Sequence, residues 1–289
     1  MGHTLVPPRP ALVPLTTSAA WVQSLQGVTV PDVQLRVVEP VAGSSFKTGD
    51  ESASGATASS SSSAVSNLAL LGKPAVAPKQ GFETASNQPP PGEKPSQDAS
   101  ADKPRVLDTR RGSLLFAHFG LSGPVALDIS RVVSGHPRPQ SLRLEFDFLP
   151  DVKAAVLDEQ LMTAAATAGK RQIVSLAPNA VPHRLLESLV RQAGLDGQQK
   201  GAELSKAGRA ALVRAIKQTS IALVGTRGFG KAEVTAGGIP LAEVDSRTME
   251  SRVVPGLFLA GEVLDLDGPI GGYNFQAAFS TGWLAGLTA

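Results

Sequence analysis

No cysteine occurs among the 289 residues. That excludes disulfides, thiolate metal sites, redox-active cysteine pairs and a cysteine nucleophile. Aromatics are scarce at 4%, with one Tyr and two Trp, so a core must be aliphatic and alanine-rich. No charge sign dominates: 27 Lys and Arg face 25 Asp and Glu, for a net charge of +2. No basic cluster is interleaved with aromatics, which argues against a nucleic-acid partner. The four histidines, His3, His118, His136 and His183, lack metal-ligand spacing, so no metal site is expected. No apolar run approaches the roughly 20 residues that cross a bilayer. The opening "MGHTLVPPRPALVPL" lacks the charged segment and apolar core of a secretion signal. These absences imply a soluble cytoplasmic protein without a membrane partner.

What is present has a clear order. Residues 41–104, with "GATASSSSSAVSN" and "NQPPPGEKPSQDASADKP", carry too little apolar surface to offset the entropy of ordering and read as a disordered insertion. On either side lie short alternating strands: 28–39 with Val33, Leu35 and Val37 on one side, two strands around Arg110-Arg111-Gly112 in 105–120, and 141–150 with Leu142, Leu144, Phe146 and Phe148 on one face. Three amphipathic helices follow between 151 and 218. One starts near Pro182 and stops before Gly194, and another is capped by Ser205. Short strands then return, ending in the apolar run "GLFLAG" (256–261) and a closing small-residue helix. The reading is α+β with an α/β close: a β-rich domain over 1–150, a helical subdomain over 151–218, and a closing segment over 219–289.

"GTRGFGKA" (225–232) nearly matches a phosphate-binding loop. Ala232 stands where a Ser or Thr must supply a hydroxyl, and "EVTAGGIP" cannot continue as the helix such a loop requires. It reads instead as a glycine-rich hairpin. The segment "LFLAGEVLDLDGPIGGYNFQAAFSTGWLAG" (257–286) carries more chemistry. A strand would end at Gly261-Glu262, where open α/β sheets bind ligands. Gly271 and Gly272 permit close backbone approach to a ligand at the N-terminus of the next helix, whose free amides and dipole favour negative charge. Asn274 and Gln276 are further polar candidates, and Ala277, Ala278, Ser280 and Gly282 would let that helix pack closely on a sheet. Acidic caps and Gly-Gly helix starts are also ordinary structural features.

"RPALVPL" (9–15), "GSLLFAHFGLSGPVALDISR" (112–131) and "AEVTAGGIPLAEVDSRTMESRVVPGLFLAGEVLDLDGPIGGYNFQAAFSTGWLAG" (232–286) follow one another as in the FAD-dependent family of aminoacetone-oxidase-like and bile-acid-reductase-like proteins. The resemblance covers nearly the whole chain outside 41–104. It implies an insert domain, its helical part, and a return to a Rossmann-like FAD-binding domain. It implies FAD as cofactor, with Gly261, Glu262, Gly271, Gly272, Tyr273, Asn274, Phe275 and Gln276 at the ribityl and ring end. Hydride transfer between a small organic substrate and NAD(P)H or oxygen would follow. Ala117 and Pro269-Ile270 depart from the family pattern. So does the absence of a GxGxxG turn, so the chain resembles the family's C-terminal portion, a fragment partnered by an upstream FAD-domain segment or a separate chain. The alternative is a non-catalytic remnant or a stand-alone binding module. No residue is identified as catalytic. His118, inside "FAHFGLSGP", reads either as an acid or base or as a packed strand-end histidine.

Overall fold

The computed structural model describes residues 2–41, 104–178 and 180–289. The insertion expected over 41–104 lies almost wholly outside the described residues. In chain order the strands are β1 (Val6–Ala11), β2 (Leu15–Thr16), β3 (Thr29–Glu39), β4 (Arg105–Ala117), β5 (Gly120–Ser122), β6 (Arg143–Asp147), β7 (Thr219–Ala222), β8 (Gly225–Thr226) and β9 (Val234–Gly238). The helices are α1 (Ala20–Ser24), α2 (Pro124–Gly135), α3 (Ala154–Thr167), α4 (His183–Gln192), α5 (Lys206–Gln218) and α6 (Tyr273–Thr288).

Seven strands form one antiparallel sheet in the order β7-β6-β3-β4-β5-β2-β8. Its two ends, β7 and β8, are consecutive in the chain, separated only by Leu223 and Val224. Leu223 N–H donates to Leu142 O on one side (3.2 Å) and Val224 N–H to Thr16 O on the other (2.9 Å). The sheet therefore closes on itself as a small barrel, which leaves no long free edge. Residue alternation fills it: Val33, Leu35, Val37, Leu114, Phe116, Leu144 and Phe146 are all essentially inaccessible.

The strands over 28–39 and 141–150 stand where the alternation places them. The two strands expected around Arg110-Arg111-Gly112 are one, because β4 pairs with β3 straight through Gly112, opposite Val33. Helix α2 was not foreseen. Pro124 at its first position follows Gly123, whose φ of 85° favours glycine. Val125, Ala126, Ile129 and Val133 turn toward the barrel.

Helices α3, α4 and α5 form the expected helical layer. Ser205 Oγ accepts the Gly208 N–H (3.0 Å), the reading made from sequence. Arg209 bonds Asp158 (2.7 Å) to join α5 to α3. Lys217 joins α5 to the turn after β6 through Asp147 (2.7 Å) and the carbonyls of Leu149 and Val152 (both 2.6 Å).

Arg111 binds both Asp32 (2.7 and 2.8 Å) and Asp151 (2.8 Å) at the surface, so it belongs to an ion-pair cluster rather than a bare turn. Its hydrogen bonds hold both carboxyls below the usual carboxylate range. Depressed carboxylates stabilise the fold above their unfolded pKa, and the contribution is lost as pH falls through the folded value. Arg111→Ala is therefore expected to move both titrations upward, as followed by carboxyl-carbon NMR.

The near phosphate loop opens no helix. After β8 it makes one 3-10 turn at Phe229–Lys231 and runs into β9. It is not a hairpin either, since β8 pairs with β2, and β9 pairs with β1 in a separate two-stranded sheet. The apolar run at 256–261 likewise forms no sheet strand. Phe258 makes a single bridge to Glu250, and Ile239 bridges Leu264 in parallel. Gly238 makes the latter approach possible: a Cβ there would lie 2.4 Å from Val263 O. A small satellite core of Val244, Met249 and Leu264, with Leu259 and Leu284 against it, anchors α6.

Candidate functional site

A cavity of about 460 Å³ opens at the N-terminus of α6. One wall is Leu12, Glu233 and Val234, from the joins of β1 and β9; another is Pro269 to Gly272; Glu262, Asn274, Phe275 and Ala278 complete it. The glycines behave as their type suggests. Gly271 and Gly272 have φ of 126° and 88°, and a Cβ on Gly272 would meet nothing within 4 Å. Gly272 is the left-handed N-cap of α6, so the first-turn amides of the helix are presented without a capping side chain.

Of the residues singled out from sequence, the cavity lining gathers Glu262, Gly271, Gly272, Asn274 and Phe275. Gly261 adjoins it, with its N–H donating to Thr281 Oγ1 at 3.0 Å. Glu262 Oε1 accepts the Thr235 N–H at 3.3 Å, which ties it to β9. Asn274 is turned back on its own loop: its Oδ1 accepts the Gly268 N–H (2.8 Å) and its Nδ2 donates to Gly268 O (3.0 Å). It shapes the glycine turn and offers little to a ligand. Tyr273, 62% exposed, and Gln276, bonded to Ser280 at 2.9 Å, lie outside the lining. So does His118, exposed in the β4–β5 turn and edge-on to Phe119 at 5.0 Å.

Sequence reasoning missed the supports. Asp267 is 3% exposed and lies 3.0 Å from Arg131 on α2, and Asp128, also on α2, accepts the Ile270 N–H at 2.7 Å. Together they pin the loop before α6 to the barrel domain. Leu12 holds a left-handed φ of 47°, a conformation that costs about 1–3 kcal/mol and persists only where its surroundings impose it. Here the Glu233 N–H donates to Leu12 O at 3.2 Å, and the next residue's N–H donates to the buried Ser130 Oγ at 3.1 Å. Ser130 in turn donates to Leu127 O. The available signal was α2 itself: Ser130 and Asp128 sit on a helix unrecognised in the sequence.

Beyond the cavity, α6 is inverted for a surface helix. Most of its inward positions are small, Ala277, Ala278, Thr281 and Ala285, with Leu284 packed on the satellite core. Its other large apolar side chains face outward: Phe275 is 74% exposed, Phe279 73%, Trp283 70% and Leu287 65%. Ser280 and Gly282, expected to pack inward, are on the exposed side.

The part of this architecture from β4 to β8, with α2 to α5, has a counterpart among known proteins. Residues 98–234 match the family model described as the HI0933-like protein barrel and H2TH domain. Over 186 residues the chain is 33% identical to the 3-dehydro-bile acid delta(4,6)-reductase of Clostridium scindens, an alignment covering 64% of this chain and 46% of that protein. It is 36% identical over 173 residues to the ribosomal RNA dihydrouridine synthase of Escherichia coli (60% and 41% covered). It is 35% identical over 175 residues to the ribosomal RNA dihydrouridine synthase of Haemophilus influenzae (61% and 41%). The chain thus spans less than half the length of the curated relatives it matches. Among the described residues no helix is long and apolar enough to cross a membrane, and no cluster of acids and histidines could hold a metal ion.

Proposed function

We propose that this chain contributes the ring and ribityl end of an FAD site in an oxidoreductase, and that the rest of the nucleotide site comes from an FAD-domain segment, upstream or on a separate chain. The observation that carries it is the cavity at the α6 N-terminus. Its volume falls in the range of small-molecule sites, about 300–1,000 Å³. It is walled by glycines that leave room for a flat ring, and it is faced by helix amides that favour negative charge. Bound flavin would supply a hydride. Within the cavity the chain's own residues would position the ring through the Gly271–Gly272 backbone, accept a ribityl hydroxyl at Glu262, and exclude water with Leu12, Ile270 and Phe275.

The names of the relatives favour a substrate class. A delta(4,6)-reductase and a dihydrouridine synthase both describe hydrogen added across a carbon–carbon double bond conjugated to a carbonyl. We infer the same class here: a hydride to one alkene carbon, a proton to the other, and NAD(P)H as the reductant. The test is to mix the full chain with FAD and the part of the Escherichia coli relative that lies outside the aligned stretch. The expected result is a visible flavin spectrum in the complex and NAD(P)H oxidation that depends on an activated alkene. No bound flavin in any combination overturns the reading and leaves the chain a binding module.

A further inference from the structure

The glycine-rich loop after β8 opens no helix for a phosphate, yet it has a geometry of its own. Three hydrogen bonds tie its flanks to the chain before α1: Val224 N–H to Thr16 O (2.9 Å), Arg227 N–H to Pro14 O (3.0 Å) and Glu233 N–H to Leu12 O (3.2 Å). Between the last two, Gly228 to Ala232 stand opposite Val13 alone and have to loop out. A Cβ on Gly225, Gly228 or Gly230 would meet nothing within 4 Å, so the loop stands clear of the barrel. The ladder resumes at Leu12 and Glu233, both in the wall of the cavity at α6.

The side chains on this loop alternate with glycine: Arg227, Phe229 and Lys231. All three are exposed, Phe229 by 56%. The Arg227 guanidinium carbon lies 4.6 Å from the centroid of the Phe119 ring, in the turn that also exposes His118. Among the described residues neither Arg227 nor Lys231 enters an ion pair, so both charges are open to an outside anion. The sequence has no contiguous run of basic and aromatic residues. The fold assembles such a cluster from segments more than a hundred positions apart, at 118–119 and 227–231.

We propose that this loop and the Phe119 turn hold an unpaired stretch of nucleic acid beside the cavity. One base stacks on Phe229, another on the Arg227 guanidinium above Phe119, and Lys231 pairs with phosphate. Exposed aromatic and guanidinium faces next to cations are the means by which single strands are held. A duplex hides its base faces and cannot use them. A mononucleotide has one ring, which leaves one platform empty, and a protruding loop encloses too little of it. A strand spans both platforms and gains from their linkage.

The test needs no flavin, so it stands or falls separately from the redox reading. The full chain is titrated by fluorescence anisotropy with a labelled oligouridylate and with a duplex of the same length, across a series of salt concentrations, and with uridine monophosphate as competitor. The single strand is expected to bind, and the mononucleotide to bind at least about a hundredfold more weakly. Phe229→Ala and Arg227→Gln should each weaken the single strand about tenfold without moving the melting temperature, since both side chains are exposed. Lys231→Gln should lower the slope of log affinity against log salt by about 0.7. Arg247→Gln, at an exposed site elsewhere, should leave affinity and slope as they were. The proposal is overturned if the oligouridylate does not bind, if the duplex or the mononucleotide binds as tightly, or if Phe229→Ala leaves the affinity unchanged. It is equally overturned if Phe229→Ala weakens association with the non-aligned portion of the Escherichia coli relative instead, which would make the loop a protein contact.

Discussion

Phe279→Asp combined with Trp283→Asp is expected to abolish assembly with an FAD-domain segment while leaving the isolated chain as stable as before. Both side chains are more than two-thirds exposed, Phe279 at 73% and Trp283 at 70%, so neither supports the chain's own core. With Phe275 and Leu287 they form a stripe along the outer face of a helix whose inner face already packs through alanines, Thr281 and Leu284. A contiguous apolar stripe of this kind is what an interaction surface presents. Burying a large apolar side chain contributes about 1.5–3 kcal/mol, and central aromatics at interfaces cost about 2 kcal/mol or more when lost. Losing both should weaken association by about a thousandfold. Analytical ultracentrifugation of the chain with the non-aligned portion of the Escherichia coli relative would measure it. Undiminished association would remove α6 from the interface.

Phe146→Ala should have the largest effect on folding. Phe146 is 1% exposed, stacks on Phe148 at a centroid distance of 5.3 Å and 18°, and meets Trp21 edge-on at 6.1 Å. In a chain with so few aromatics, three of them meet at this point between α1, β6 and the helical layer. Truncation leaves a cavity that its neighbours fill only in part, at a cost of about 3–5 kcal/mol. Against typical domain stabilities of about 5–15 kcal/mol, the denaturant midpoint should fall steeply. A shift equivalent to less than about 1 kcal/mol would contradict the packing described.

How far the sequence alone led can be traced residue by residue. Leu142, Leu144, Phe146 and Phe148 alternate because one face of β6 is wet and the other is core, and a period of two records that directly. Helix α4, with Leu185, Leu186, Leu189 and Val190 on one side, was equally legible. The run 256–261 was not, because an apolar run suggests a strand buried on both faces, whereas here Gly256 is exposed, the rest are half-buried, and no named strand lies beside them. Helix α2 was overlooked although Gly123-Pro124 marks its start: the strand reading stopped at 120 and no element was assigned to the residues that follow. At the site, the glycines and Glu262 could be found because their chemistry is local. Asp128, Ser130 and Arg131 could not, because their partners are more than a hundred positions away in the chain. The orientation of α6 was hidden for a related reason: small and large residues both alternate along it, and tertiary packing decides which set turns inward.

Barrel closure has a consequence for the order in which this chain acquires its structure. The segment Thr219–Thr226 bonds β6 with one end and β2 with the other, so the sheet stays open until a strand beyond α5 arrives. Until then β6 and β2, the strands at the two ends of the open sheet, have a paired neighbour on one side only, while three helices are made. Pairing between distant segments slows folding because the entropy of loop closure is spent before contacts repay it. On a ribosome, the interior would stay wet until residue 226 had cleared the exit tunnel, and a chain stopped just short of it would present two raw sheet edges to its neighbours.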